Sequence, residues 1–301
     1  MQEELGFTHN SQEYRAISPF KELGAYEALW LEHNFSFKKA AELFSTVANF
    51  LPSACVHNDA RAYEYAHKVF DIIKSKGIKR FGVRVYGTWE YPQKLRDARY
   101  PIQFLYFRGN WDLIESPTIA VVGTRSPSVA GIKRTQQLVT KLVDDGYTIV
   151  SGLAKGVDTV AHKTAIEHKG RTIAVIGTPI SEYYPKENIE LQNYIGENFL
   201  LISQIPVCRY LSQHPGQNRL FFPERNKTMS AISEGTIIVE AGETSGTLVQ
   251  AKAALEQGRK LFILNSCFEN SNLTWPHKYQ KLGAIRVNTY DDIRQHLNAK
   301  S

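Results

Sequence analysis

TIAVVGTRSPSVAGIKRTQQLVTKLVDDGYTIVSGLAKGVDTVAHKTAIEHKGRTIAVIG, residues 118–177, decides the fold. Three short β-branched runs stand in it: TIAVVG (118–123), YTIVSG (147–152) and TIAVIG (172–177). Each is continuously apolar rather than alternating, the texture of a strand buried on both faces. The segments between them, VAGIKRTQQLVTKLVDDG and DTVAHKTAIEHKG, have the length of helices rather than strands. The same unit recurs downstream in FLLISQ (199–204), GTIIVEA (235–241), KLFILN (260–265) and AIRVN (284–288), with KENIELQNYIGEN and TLVQAKAALEQG as further helical spacers. Strand, glycine turn and helix in alternation predict an α/β fold. Its core is a doubly wound, mostly parallel sheet with helices on both faces.

Upstream the texture changes. FGVRVYG, from Phe81, reads as a strand, and the turn-rich, aromatic YPQKLRDARYPIQFLYFRGN follows it. Residues 14–75 read as helical, because ALWLEHNF, SFKKAAELFSTVANFL and ARAYEYAHKVFDIIKSKG repeat apolar residues at three- and four-residue spacing. Ser36 and Asp59 are the expected N-caps and Gly77 the stop. The expected division is a small helical domain at 1–77 and the α/β domain at 78–301.

The 301 residues suffice for both units, and 43% hydrophobic with 22% charged residues is globular rather than disordered composition. No run of eighteen apolar residues exists, and MQEELGFTHNSQEYR lacks the apolar stretch of a signal peptide, so no membrane span is expected. Cys55, Cys208 and Cys267 are far apart and match no paired metal spacing, which suits a reducing cytoplasm and no metal. A net charge of +6 favours polyanionic partners without identifying one.

Four strand ends carry the chemistry, since ligands of such sheets bind beyond the carboxyl ends of the strands. In VVGTRSPSVAG, Gly123 allows a sharp turn, Thr124 and Ser128 offer hydroxyls, and Arg125 is a forked cation beside a helix start. Taken alone this reads equally as a phosphate site or as a tight turn whose Arg pairs a carboxylate. In SGLAKGVDTVAH, Gly152 and Gly156 keep the loop low and Lys155 adds a point charge; Asp158 is expected to cap the next helix rather than act with His162 in catalysis. In FFPERNKTMSAISEG, Phe221 and Phe222 precede Arg225, Asn226 and Lys227 at a helix start. Aromatic faces beside cations suit single strands, although at least one Phe is expected in the core. In VEAGETSGTLVQ, Ser245, Gly246 and Thr247 open a helix beside Glu240, which is expected to fix the loop by accepting backbone N–H bonds. Singly each signal is weak; four on one rim make a site.

In this order the four turns resemble the DNA-processing protein A (DprA, or Smf) family. Its pattern is a G-[ST]-R turn, SG-x-A-x-G-x-D-x-x-AH, a TIAV strand leading to YP, F-x-x-RN and E-x-x-x-x-SGT. Here these stand at Gly123–Arg125, Ser151–His162, Thr172–Pro185, Phe222–Asn226 and Glu240–Thr247, with Tyr91-Pro92 and Leu95 in register with the family's entry segment. The stretch Leu29–Phe44 is similar to the small N-terminal, SAM-like helical domain of many members. The resemblance implies an extended Rossmann fold that binds single-stranded DNA in a positive pocket. It also implies a homodimer, loading of a RecA-type recombinase in transformation and recombination, and neither catalysis nor a cofactor. Carried over by position, the DNA contacts are Thr124, Arg125, Lys155 and Arg225–Lys227. The wider nucleic-acid or phosphate-binding set adds Gly123, Ser128, Gly152, Gly156, Phe222, Ser245, Gly246 and Thr247.

The chain departs from the pattern at Thr178-Pro179, where the family places glycine, and at Gln204, where it places glutamate. Departures also occur around the RN pair and at Asn265-Ser266-Cys267. With no winged helix expected after Ser301, it reads as a divergent, short member. Two alternatives stand beside the leading one. The first is an antitoxin-like component of a phage-defence module with a toxin partner. The second is a nucleotide-binding enzyme similar to phosphoribohydrolases, whose PGG-x-GT-x-x-E pattern this chain lacks.

Overall fold

The computed structural model describes residues 17–32, 35–45, 51–56, 58–88, 90–96 and 102–298. The helical reading of residues 14–16 and 46–50, and residues 97–101 of the aromatic segment, lie outside them. All seven core strands appear: β3 (Thr118–Val122), β4 (Thr148–Ser151), β5 (Thr172–Ile176), β6 (Leu200–Ser203), β7 (Gly235–Ile238), β8 (Lys260–Leu264) and β9 (Ile285–Val287). They join β1 (Gly82–Val85) and β2 (Phe104–Gly109) in one nine-stranded sheet ordered β1-β2-β6-β5-β4-β3-β7-β8-β9. From β6 to β9 every pairing is parallel, while β1–β2 and β2–β6 are antiparallel. β2 lies within the segment read from sequence as turn-rich, so the sheet gains a strand there.

The alternation of faces explains the continuous apolar runs. On β3, Ile119 and Val121 enter the core beneath the helices Val129–Asp144 and Val157–Glu167, whereas Ala120 and Val122 enter the opposite core. That second core also receives Met229 and Ala231 from the helix Phe221–Ala231 and Ala251 and Ala254 from the helix Thr247–Glu256. Each aliphatic side chain so buried contributes roughly 1.5–3 kcal/mol of transfer free energy.

The chain leaves β3 toward β4 on one side and returns to β7 on the other. The strand order therefore reverses between β3 and β7, and their carboxyl ends part to form a crevice. That topological switch point positions everything described below.

The helices Pro19–Glu32, Phe37–Ser45 and Asp59–Ser75 precede the sheet. Ser36 caps the second, its Oγ accepting from Lys39 N (3.2 Å). The third is capped by Asn58, whose Oδ1 accepts from Ala60 N (2.9 Å), and not by Asp59, which pairs instead with Lys21 (2.7 Å). Gly77 ends it with φ +75°, the left-handed conformation glycine adopts without penalty. A core shared across this turn brings Leu23, Tyr26, Trp30 and Val69 against Phe104, Tyr106, Ile205 and Phe221. Within it the buried Glu27 accepts from Val207 N (2.7 Å), Cys208 N (2.8 Å) and the Tyr106 hydroxyl, and so caps the short helix Val207–Ser212 from far away in sequence. No helix among the described residues is long and apolar enough to cross a membrane.

Candidate functional site

The crevice between β3 and β7 encloses a cavity of about 550 Å³. Of the residues singled out from sequence, Gly123, Thr124, Arg125, Phe222, Arg225, Asn226, Ser245, Gly246 and Thr247 line it, joined by Asp158, Gly242, Thr244 and Gln250. Ser128, Gly152, Lys155, Gly156 and Lys227 do not.

The first wall is the turn after β3. Thr124 N donates to Glu240 O (2.7 Å), and the Glu240 carboxylate accepts from Ser128 N (3.1 Å) and Ser128 Oγ (2.8 Å), with Arg134 at 3.5 Å. Glu240 fixes the loop, as expected, and Ser128 caps the helix Val129–Asp144 through Gly131 N (2.9 Å). A side chain at Gly123 would meet Val157 Cγ2 at 2.6 Å and Glu240 O at 2.8 Å, so only glycine fits between the two loops. The rigid turn leaves Arg125 exposed, with no hydrogen bond or ion pair to its side chain among the described residues.

The floor is a buried polar cluster. Arg225 is 5% exposed. Its Nη1 donates to Gly152 O and to Val175 O (2.7 Å), and its Nε to Asn226 Oδ1 (2.9 Å). Burial pulls its pKa down to about 10. Burial likewise pushes the Asp158 carboxyl up, opposed by the Arg225 charge and by the Ala154 and Gly152 amides. Two readings are corrected here. Asp158 is not the cap of the helix Val157–Glu167, whose N-cap is Gly156; it reaches back to pin the preceding loop. Arg225 holds the carboxyl ends of β4 and β5 together, and its Nη1 and Nε are spent within the protein. His162 turns to Thr172 Oγ1 (2.7 Å), and burial lowers its pKa to about 3.

The second wall is the Phe221–Ala231 helix. Phe221 is 7% exposed in the core with Trp30 and Phe37, while Phe222 faces the crevice. Its ring meets Tyr184 edge-on, with centroids 5.3 Å apart, and lies against Gly177, where a Cβ would come within 2.6 Å. Tyr184 is 47% exposed and was not singled out from sequence; the YP dipeptide that carries it was the available signal. Asn226 Nδ2 donates to Gly246 O (3.1 Å) and ties this wall to the third.

The third wall opens the helix Thr247–Glu256. Ser245 Oγ accepts from Thr247 N (3.2 Å), and Thr247 Oγ1 donates to Gly123 O (3.2 Å). Gly242 and Gly246 are exposed, with open space where a side chain would stand. The remaining cations lie elsewhere: Lys155 pairs with the Glu187 carboxylate, and Lys227 pairs with Glu224 (2.8 Å) beside a different depression. The crevice thus offers one uncommitted guanidinium, hydroxyls and an aromatic face, a set suited to a phosphate joined to a flat ring.

A sequence model of the family described as DNA recombination-mediator protein A matches residues 83–298. The chain belongs to this family. A member from Streptococcus pneumoniae, DNA processing protein DprA, is 36% identical over 205 residues, covering 67% of this chain and 70% of the relative. The crystal structure of DprA from Streptococcus pneumoniae superposes with a TM-score of 0.66 at 29% identity, over 94% of this chain and 95% of that one. A second solved structure concerns the single-stranded DNA binding mode of DNA processing protein A from Helicobacter pylori. It matches with a TM-score of 0.61 at 24% identity, over 73% of this chain and 96% of that one, a likeness of fold. Membership places this DprA-family chain among proteins of DNA processing and recombination.

Proposed function

We propose that the chain binds single-stranded DNA in the β3–β7 crevice and, as a homodimer, delivers the strand to a RecA-type recombinase without catalysis of its own. One observation carries the reading: Arg125 is uncommitted and stands on a loop immobilised by Glu240, opposite the Phe222 face. A cation held in place without a protein partner loses little on meeting a phosphate, and an aromatic face accepts any base. Thr124, Asn226 and the Ser245–Thr247 turn supply the neutral contacts. The single-strand binding named for the Helicobacter pylori protein supports the same reading. An enzyme that cleaves nucleotides is not favoured, because Glu240, the carboxylate such a reaction would need, is committed to Ser128.

Fluorescence anisotropy with a labelled oligothymidylate across a salt series tests the proposal. Affinity should fall with salt, with a log–log slope of about −0.7 for each phosphate contact. No binding, or an affinity indifferent to salt, contradicts it.

A further inference from the structure

Away from the crevice, the chain between Asp71 and Glu90 carries Lys74, Lys76, Lys79, Arg80 and Arg84 and no carboxylate. This stretch covers the last turn of the helix Asp59–Ser75, the turn at Gly77 and the strand β1. Two of its cations serve the fold, Lys76 pairing with Glu182 (3.1 Å) and Arg84 with Glu90 (3.2 Å). Lys74, Lys79 and Arg80 are exposed, and their side chains have no hydrogen bond or ion pair among the described residues. Lys74 suits the carbonyl end of its helix, but Lys79 and Arg80 lie beyond it. Unpaired like charges this close repel one another and give the folded chain nothing in return.

Aromatic rings stand beside them. Tyr63, His67, Phe70 and Lys74 recur at spacings of four, three and four, and so share one face of the helix Asp59–Ser75. Phe20 lies across this face, its ring centroid 6.0 Å from Tyr63, 4.9 Å from His67 and 5.1 Å from Phe70. Phe81 continues the row at 4.8 Å from Phe70. Packed on one another rather than sunk in the core, Tyr63 remains 43% and Phe70 42% exposed. Asp59, one turn before Tyr63, is neutralised by Lys21 (2.7 Å). The Lys76–Glu182 pair ties this patch to the segment that carries Tyr184, whose ring meets Phe222 in the crevice wall.

We propose that this face is a second nucleic-acid surface. A single strand leaving the crevice past Tyr184 lays its phosphates along Lys74, Lys79 and Arg80 and its bases on Phe70 and Tyr63. The proposal rests on the reading of the crevice as a single-strand site and extends it onto the helices that precede the sheet. Charge complementarity selects a polyanion, and the exposed rings select unpaired bases, whose faces a duplex hides in its stack.

The test compares wild type with the triple variant Lys74→Gln/Lys79→Gln/Arg80→Gln by anisotropy over a salt series. Oligothymidylates of about six and about thirty nucleotides serve as probes, with melting curves to show that the fold is kept. The long strand should lose about 0.7 in log–log salt slope for each cation removed, about 2 in all, and bind about a hundredfold more weakly near 0.1 M salt. The short strand, held in the crevice alone, should bind as before. Tyr63→Ala should weaken the long strand about tenfold and leave its salt slope unchanged. An unaltered slope in the triple variant while wild type binds both strands, or an equal loss at both lengths, overturns the second surface and leaves the crevice standing. Full affinity in Tyr63→Ala overturns the stacking of bases on this face. No binding of either strand by wild type removes the crevice reading itself, and the second surface with it.

Discussion

Arg225 gives Nη1 to Gly152 O and Val175 O and Nε to Asn226, and its charge opposes the burial of Asp158. Replacing it with Ala leaves two carbonyls unpaired and a buried carboxyl without its cation. Arg225→Ala should therefore cost about 3–5 kcal/mol in urea unfolding at neutral pH, and a loss under about 1 kcal/mol would show that the cluster does not hold the strand ends. His162 carries a pH signature. Its folded pKa of about 3 lies below the ordinary 6.5, so the unfolded chain takes up the proton first as pH falls. Stability from this group is complete above pH 6.5 and is lost at about 1.4 kcal/mol per pH unit between 6.5 and 3. Urea midpoints at pH 7 and 5.5 should thus fall further for wild type than for His162→Gln, and parallel losses would contradict the assignment. Residue type alone did not separate Arg225 from Arg125. Both stand in basic motifs read from sequence as one rim, but Arg225 lies within the helix Phe221–Ala231, and only the carbonyls of Gly152 and Val175, brought close by the fold, assign it to the structure.

At the scale of elements, the strand-end turns were legible because each needs a residue that few others replace. Gly123 and Gly156 are examples: the first is wedged between Val157 and Glu240, and the second has φ +77° against the Thr124 and Arg125 backbone. β2 was not legible. Its run Phe104–Gly109 follows Pro and Arg rather than a helix, and it pairs antiparallel at the sheet's end, outside the repeating unit that revealed the others. Lys155 and Lys227 were placed with the ligand because they adjoin the right motifs. The Lys155–Glu187 pair turns on the approach of two segments distant in sequence and the Lys227–Glu224 pair on i,i+3 helical spacing, neither of which motif order contains. The first wall yields its own prediction. Ser128→Ala removes a helix cap and one of the two bonds anchoring Glu240 to that residue, and should cost about 1 kcal/mol in thermal or urea unfolding. DNA affinity should fall with it as the Arg125 turn loosens. Unchanged affinity would mean that the turn needs no anchoring.

For the molecule as a whole, the strand order puts the reversal between β3 and β7, where the turns after these two strands meet the helix Phe221–Ala231 that carries the third motif. The remaining turn, after β4, forms the floor through Gly152, Ala154 and Asp158. In the proposed reading, the net charge of +6 favours a polyanion at the surface and the crevice with its uncommitted arginine selects where it rests. The most direct measurement pairs oligothymidylate anisotropy with melting curves for wild type and Arg125→Glu. An exposed arginine without partners should leave melting unchanged within about 0.5 kcal/mol, while the reversed charge abolishes binding. Binding that survives Arg125→Glu, or a loss of stability that accompanies the loss of binding, would contradict the account.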